Sequence, residues 1–271
     1  MLRVIFVVGL LLLICGHGEV VASDQIGRVV GRVDCSSLPS CSGVAALWSV
    51  DGAIPDPRKY TRIPGPVAQV QSDGVFELSG PAGDYYVGVF LRNSPGPLMG
   101  PPRVGDLIFL TPNPAGEPSR VTLKAGETTD AGVHDKAWVF AGLTDPSATA
   151  ISGQVVDIDG RPVAGLLVFA FSDREVSASP LSVSERTEAD GSFFLPLAEA
   201  GSVYLRTRKD YQGGRPEPGD YVGVFGGTVP AALVVAEGVT ISDMKIVARK
   251  LPSLLQMQNA PVNSRPKIEL R

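Results

Sequence analysis

The chain has 271 residues, with 24 Lys and Arg against 28 Asp and Glu for a formal net charge of −4, 44% hydrophobic residues and 19% charged ones. Mild acidity excludes a nucleic-acid binder that relies on a basic face to displace counterions, and the apolar content excludes a wholly disordered chain. Two His and three Cys leave little material for metal or imidazole chemistry, while 31 Gly and 23 Pro mark dense punctuation by turns.

The N-terminus carries Arg3, an unbroken apolar run from Val4 to Ile14, and small residues at Ala22-Ser23. These are the parts of a secretory signal peptide, so residues 1–22 are expected to be a leader cleaved after Ala22. The run is too short to span a membrane, which takes about 20 residues. No other segment approaches that length, so no transmembrane segment is expected in the mature chain. Lipidation of Cys15 would want a small residue before it, and Ile14 stands there. The mature chain is therefore expected in the periplasm or outside the cell, where disulfides persist, with Cys35 and Cys41 as its two cysteines.

After the leader the sequence repeats itself. Val30-Gly31-Arg32-Val33-Asp34 matches Ser152-Gly153-Gln154-Val155-Val156-Asp157, and an apolar strand follows each, at Val44–Trp48 and Leu166–Phe171. Asp73-Gly74-Val75-Phe76-Glu77-Leu78 matches Asp190-Gly191-Ser192-Phe193-Phe194-Leu195; Gly83 to Val87 matches Gly201 to Leu205; Gly105-Asp106 matches Gly219-Asp220. A last strand is predicted near 137–140 and 244–248. Apolar residues recur with period two, as in Tyr85, Val87, Val89 and Leu91, and turn glycines separate strand-length runs, which predicts an antiparallel β-sandwich in each copy. The expected organisation is domain 1 over 23–140, a linker over 141–149, domain 2 over 150–249 and a flexible tail over 250–271.

Gly153-Gln154-Val155, the turn Asp159-Gly160-Arg161-Pro162-Val163-Ala164-Gly165, and Asp190-Gly191-Ser192-Phe193-Phe194-Leu195 resemble the carboxypeptidase regulatory-like domain family. The resemblance implies a transthyretin-like sandwich for each copy. It covers the second copy well and the first from Ser72 onward, and its motif of turn glycines and core aromatics speaks to fold rather than function. Family members occur as accessory units of secreted peptidases, adhesins and outer-membrane receptors, and none of those partner domains is expected within these 271 residues.

The first copy departs from the pattern at Asp34-Cys35 to Cys41-Ser42-Gly43, where the second makes the turn at 157–162. Cys35 and Cys41 are expected to face each other across a hairpin turn as a structural disulfide; a redox C-x-x-C has two intervening residues, not five. Asp157 and Asp159 lack the downstream ligands of a calcium loop, which favours a plain turn. His134 reads as a surface loop residue. No nucleophile elbow or phosphate loop occurs, so no catalytic residue, metal or cofactor is expected. The Pro- and Gly-rich excursions after 92 and 208 are the candidate recognition loops: Tyr211 and Tyr221, flanked by Arg208 and Arg215, offer ring faces and guanidinium donors to a sugar or a partner chain. The expectation is a non-enzymatic interaction or structural module of a bacterial envelope, whose partner is an envelope protein or polysaccharide. Carbohydrate binding through these loops, or an enzyme with an unrecognised site, are the alternatives.

Overall fold

The computed structural model describes residues 25–36, 38, 40–56, 59–93, 96–110, 117–143, 148–211 and 214–252. The leader, part of the 141–149 connection and the tail beyond Pro252 lie outside the described residues. The described residues are all β, without an α-helix. The first half contains β1 (Ile26–Val33), β2 (Gly43–Ser49), β3 (Val67–Gln69), β4 (Val75–Pro81), β5 (Gly83–Leu91), β6 (Leu107–Phe109), β7 (Arg120–Leu123), β8 (Thr128–His134) and β9 (Ala137–Val139). The second contains β10 (Ala150–Val156), β11 (Leu167–Phe171), β12 (Ser182–Val183), β13 (Ser192–Pro196), β14 (Gly201–Arg208), β15 (Tyr221–Val224), β16 (Ala232–Val235) and β17 (Thr240–Lys250).

Each pairing of the first half recurs in the second. β1 lies between β4 and β8, and β10 lies between β13 and β17. β2 pairs with β3 and β5, as β11 pairs with β12 and β14; β5 also pairs with β6 and β7, as β14 pairs with β15 and β16. The unbroken β17 runs from β10 across to β15, whereas in the first half Asp135 and Lys136 split the equivalent strand into β8 and β9. The sequence reading found only the second part of this strand in the first copy.

Two further expectations are corrected. β1 and β2 do not form a hairpin: they belong to different sheets, and the chain between them crosses from one layer of the sandwich to the other. The sheets are also not wholly antiparallel, because β8 and β17 run parallel to β1 and β10. Each arrives from the opposite sheet by a crossing connection, which is the kind of link a parallel pair requires.

The Asp-Gly turns are built alike. Gly74 (φ +88°) and Gly191 (φ +78°) hold the left-handed conformation, and a Cβ on either would stand 2.4 Å from the carbonyl oxygen of Val33 or Val155. The amides of those same two residues donate to the glycine carbonyls at 2.9 Å. The Asp73 and Asp190 carboxylates accept the N–H two residues on, at 3.1 and 2.9 Å. A bulge also recurs, between Val30 and Arg32 against β8 and between Ile151 and Gly153 against β17, with Gly132 (φ +74°) and Asp243 (φ +61°) in the bulged strands.

Among the described residues three apolar cores organise the fold. One fills the first sandwich, with Val29, Leu47, Phe76, Leu78, Val87 and Leu91, and one the second, with Ile151, Val155, Val168, Leu195, Leu205 and Ile246. The third lies between the sandwiches, where Val44, Ala46, Trp48, Tyr86 and Phe90 meet Leu167, Phe169, Phe171 and Val183. Strands β2, β5 and β11 are therefore apolar on both faces, each face serving a different core. Two of the loops that reach into this shared core do so through a residue with positive φ: Tyr60 (φ +45°) after β2 and Val176 (φ +50°) after β11. For a β-branched valine this is a strained conformation, sustained by the packing around it.

Candidate functional site

The excursion after β5 is organised by one buried ion pair. Arg92 Nη1 donates to Asp106 Oδ2 at 2.6 Å, and the side chains are 4% and 0% exposed. The rest of the guanidinium holds the excursion's backbone: Nε to Leu98 O at 3.0 Å, Nη1 to Pro101 O at 2.9 Å, and Nη2 to Leu98 O at 2.8 Å and Gly100 O at 2.7 Å. Asp106 in turn accepts the amides of Asn93 and Arg103 at 3.1 and 2.9 Å. A pair so deeply buried persists because its hydrogen-bonding capacity is consumed on the spot. In the second sandwich Asp220 accepts the Glu217 amide at 2.9 Å and pairs with Lys209 at 3.1 Å, in a far more exposed setting.

The four residues singled out from the sequence do not converge on one surface. Tyr211 is half-buried in the shared core: its hydroxyl lies 3.0 Å from that of Tyr60, and its ring packs on Phe169 with centroids 6.2 Å apart. Burial raises both phenols above the usual range, Tyr60 well above it. Arg208 lies over the rings of Phe169 and Phe171 at 5.8 and 5.7 Å, and burial lowers its guanidinium from the usual value. Tyr221 packs against the second sandwich's core, with the Lys250 ammonium 5.6 Å from its ring centroid. Arg208, Arg215 and Tyr221 border one small cavity of about 30 Å³. That is far below the roughly 300 to 1,000 Å³ of small-ligand sites.

Cys35 and Cys41 form the expected disulfide, with Cα atoms 5.6 Å apart, packed beside the first core. His134 is corrected from a surface loop residue to a buried one: it ends β8, is 3% exposed and packs on Phe76 with ring centroids 5.6 Å apart. Burial lowers its pKa from 6.5, opposed by the neighbouring Asp135. Asp157 caps its own turn, accepting the amides of Asp159 and Arg161 at 2.9 and 2.8 Å. Among the described residues no three His, Cys, Asp or Glu gather as a metal site would need.

A cavity of about 350 Å³ lies between the sandwiches, walled by the Arg92-anchored excursion on one side and by Leu167 and residues 185–188 on the other. Glu185 there has a carboxyl raised by burial, and by Glu188 and Asp106, against the lowering effect of the Leu143 amide that bonds to it. Tyr60, Arg92 and Glu185 are not among the residues that the sequence motifs single out. The repeated Gly-Asp at 105–106 and 219–220 was the available signal for the ion pair, since a carboxylate recurring at a loop's end calls for a partner.

No family model matches the chain, and no curated protein matches it in sequence. Among solved structures it is similar to a streptococcal ancillary pilin (15% identity, 84% of this chain and 63% of that one, TM-score 0.26). It is also similar to the Bacillus anthracis TIE protein (13%, 83% and 34%, TM-score 0.25) and to the minor pilin of Streptococcus agalactiae (12%, 84% and 97%, TM-score 0.26). The chain thus spans 63% and 34% of the first two of these.

Proposed function

We propose that the chain is an exported, non-catalytic structural or interaction module made of two transthyretin-like sandwiches of the carboxypeptidase regulatory-like kind. The observation that carries this reading is the shared core. Strands β2, β5 and β11 each spend a whole face on joining the sandwiches, which holds the excursion after β5 in a fixed position. Loops on a rigid scaffold suit recognition. The buried ion pair near these loops supports the same reading, because Arg92 and Asp106 hold backbone rather than stand ready for chemistry.

The partner class that fits is an envelope protein or polysaccharide. Affinity capture from envelope extracts on the immobilised mature chain tests this: a saturable, competable partner is expected. Turnover in a broad hydrolase screen that disappears in Glu185→Gln would overturn the non-catalytic reading.

A further inference from the structure

The cavity between the sandwiches has the size and position of a small-molecule site: such sites run from about 300 to 1,000 Å³ and favour interfaces between domains. At about 350 Å³ it holds roughly ten water volumes. Both walls are fixed. Arg92 ties the excursion through the carbonyls of Leu98, Gly100 and Pro101. On the other side Thr187 Oγ1 donates to Val163 O at 2.7 Å and accepts the Leu166 amide at 3.0 Å, while Arg186 Nη1 donates to Gly165 O and Lys209 O at 2.6 and 2.7 Å.

The lining brings together like charges of both signs. Arg103 and Arg186 line it with Glu185 and Glu188, and Met99 and Leu167 supply apolar wall. Arg103 is lowered first by burial and then by Arg92, against the raising effect of Asp106, with Arg186 adding to the lowering. Glu188 likewise raises the Glu185 carboxyl, after burial as the larger cause. Neither glutamate takes part in an ion pair among the described residues. A ligand with a single charge would relieve one of these pairs and be repelled by the other.

We propose that this cavity binds a small zwitterion of amino-acid or dipeptide size, its carboxylate toward Arg103 and Arg186, its ammonium toward Glu185 and Glu188, and its apolar part against Met99 and Leu167. Guanidinium and carboxylate suit each other geometrically, and charge-assisted hydrogen bonds are the strong ones. The inference goes beyond the scaffold reading and does not depend on which envelope partner the chain takes.

Calorimetry on the mature chain with Ala-Ala, Lys-Glu, and their N-acetylated and C-amidated forms tests it. Saturable binding is expected for the free dipeptides, about tenfold weaker for each blocked form, as follows from the loss of one charged hydrogen bond. Glu188→Gln, an exposed change, should weaken binding by a similar factor with an unchanged melting temperature, and Glu185→Gln should weaken it likewise without lowering the melting temperature, since burial already disfavours that charge. No saturable heat at roughly millimolar dipeptide, or equal binding of blocked and free forms, overturns the proposal. The envelope capture is run on the same preparations, so loss of one binding without the other identifies which reading fails.

Discussion

The phenol oxygens of Tyr60 and Tyr211, 151 residues apart in sequence, stand 3.0 Å from each other in the core between the sandwiches. Each ring is supported from its own side, Tyr60 edge-on to Phe90 and Tyr211 tilted on Phe169, with centroids 6.0 and 6.2 Å apart. One hydrogen bond thus joins a loop of the first half to an excursion of the second. Tyr60→Phe and Tyr211→Phe should each destabilise the chain by about 1 kcal/mol, and the double variant by little more than either alone. Urea denaturation of the four proteins gives the coupling. Strict additivity would mean that the two hydroxyls act independently.

The Arg92 and Asp106 pair leads to a larger effect. Removing one partner leaves the other charged and buried, so Arg92→Leu and Asp106→Asn should each cost about 3 to 5 kcal/mol. Arg92→Lys should not restore stability, because an ammonium cannot reach the three carbonyls that the guanidinium holds together. Chemical denaturation measures both, with Lys209→Ala at the exposed counterpart as a control expected to change little.

Stability should fall as the solution is acidified through the range of His134. Its native pKa is depressed below 6.5, so the unfolded chain binds the proton more readily. The contribution is fully present above about pH 6.5 and is lost as pH falls through the native value. His134→Phe removes this dependence while keeping a ring against Phe76. Between pH 8 and pH 5, roughly the span in which histidine titrates, the native protein's denaturation midpoint should fall more than that of the variant; equal falls would mean that His134 is not the source.

The bulge offers a comparison between equivalent positions. Asp243 occupies the left-handed region that Gly132 occupies in the first half. Asp243→Gly should therefore be neutral or stabilising by up to about 1 kcal/mol, and Gly132→Ala destabilising by about 1 kcal/mol. A Cβ on Gly132 meets no atom within 4 Å, so backbone conformation alone sets that cost. Thermal unfolding of the two variants measures the pair.

Reduction of the Cys35 to Cys41 bridge should cost about 2 kcal/mol, since it closes a short loop. The loss should appear as a lower denaturation midpoint under reducing conditions, and Cys35→Ser with Cys41→Ser should reproduce it without reductant.

Much of each sandwich was legible because its signals are local. Period-two runs and turn glycines define the strands, and the internal match of Asp73-Gly74 with Asp190-Gly191 extends to matching hydrogen bonds. No interface was read from the sequence, although it left a trace there. In β5 the face of Tyr86 and Phe90 is as apolar as that of Val87 and Val89, and in β11 all five residues are apolar and buried. A sheet with one wetted face would alternate, so these strands carried the sign of a second buried layer. The role of Tyr211 was not legible. Its partner Tyr60 sits in a loop without periodicity, and neither Tyr60 nor Val176 is a residue type that signals positive φ. Glu185 and Arg103 meet only across the joined sandwiches, a proximity that no local spacing encodes.

The joining of the two halves also has a consequence for assembly. The equivalent strands β2 and β11 both supply the contact, so each half acts as the other's ligand. The short tether between them raises their mutual concentration to the order of millimolar. A pairing far too weak to assemble separate molecules can therefore close within one chain, independent of how dilute the protein is. Cleaving the 141–149 connection would return that pairing to ordinary mass action, and dilution alone would then pull the halves apart.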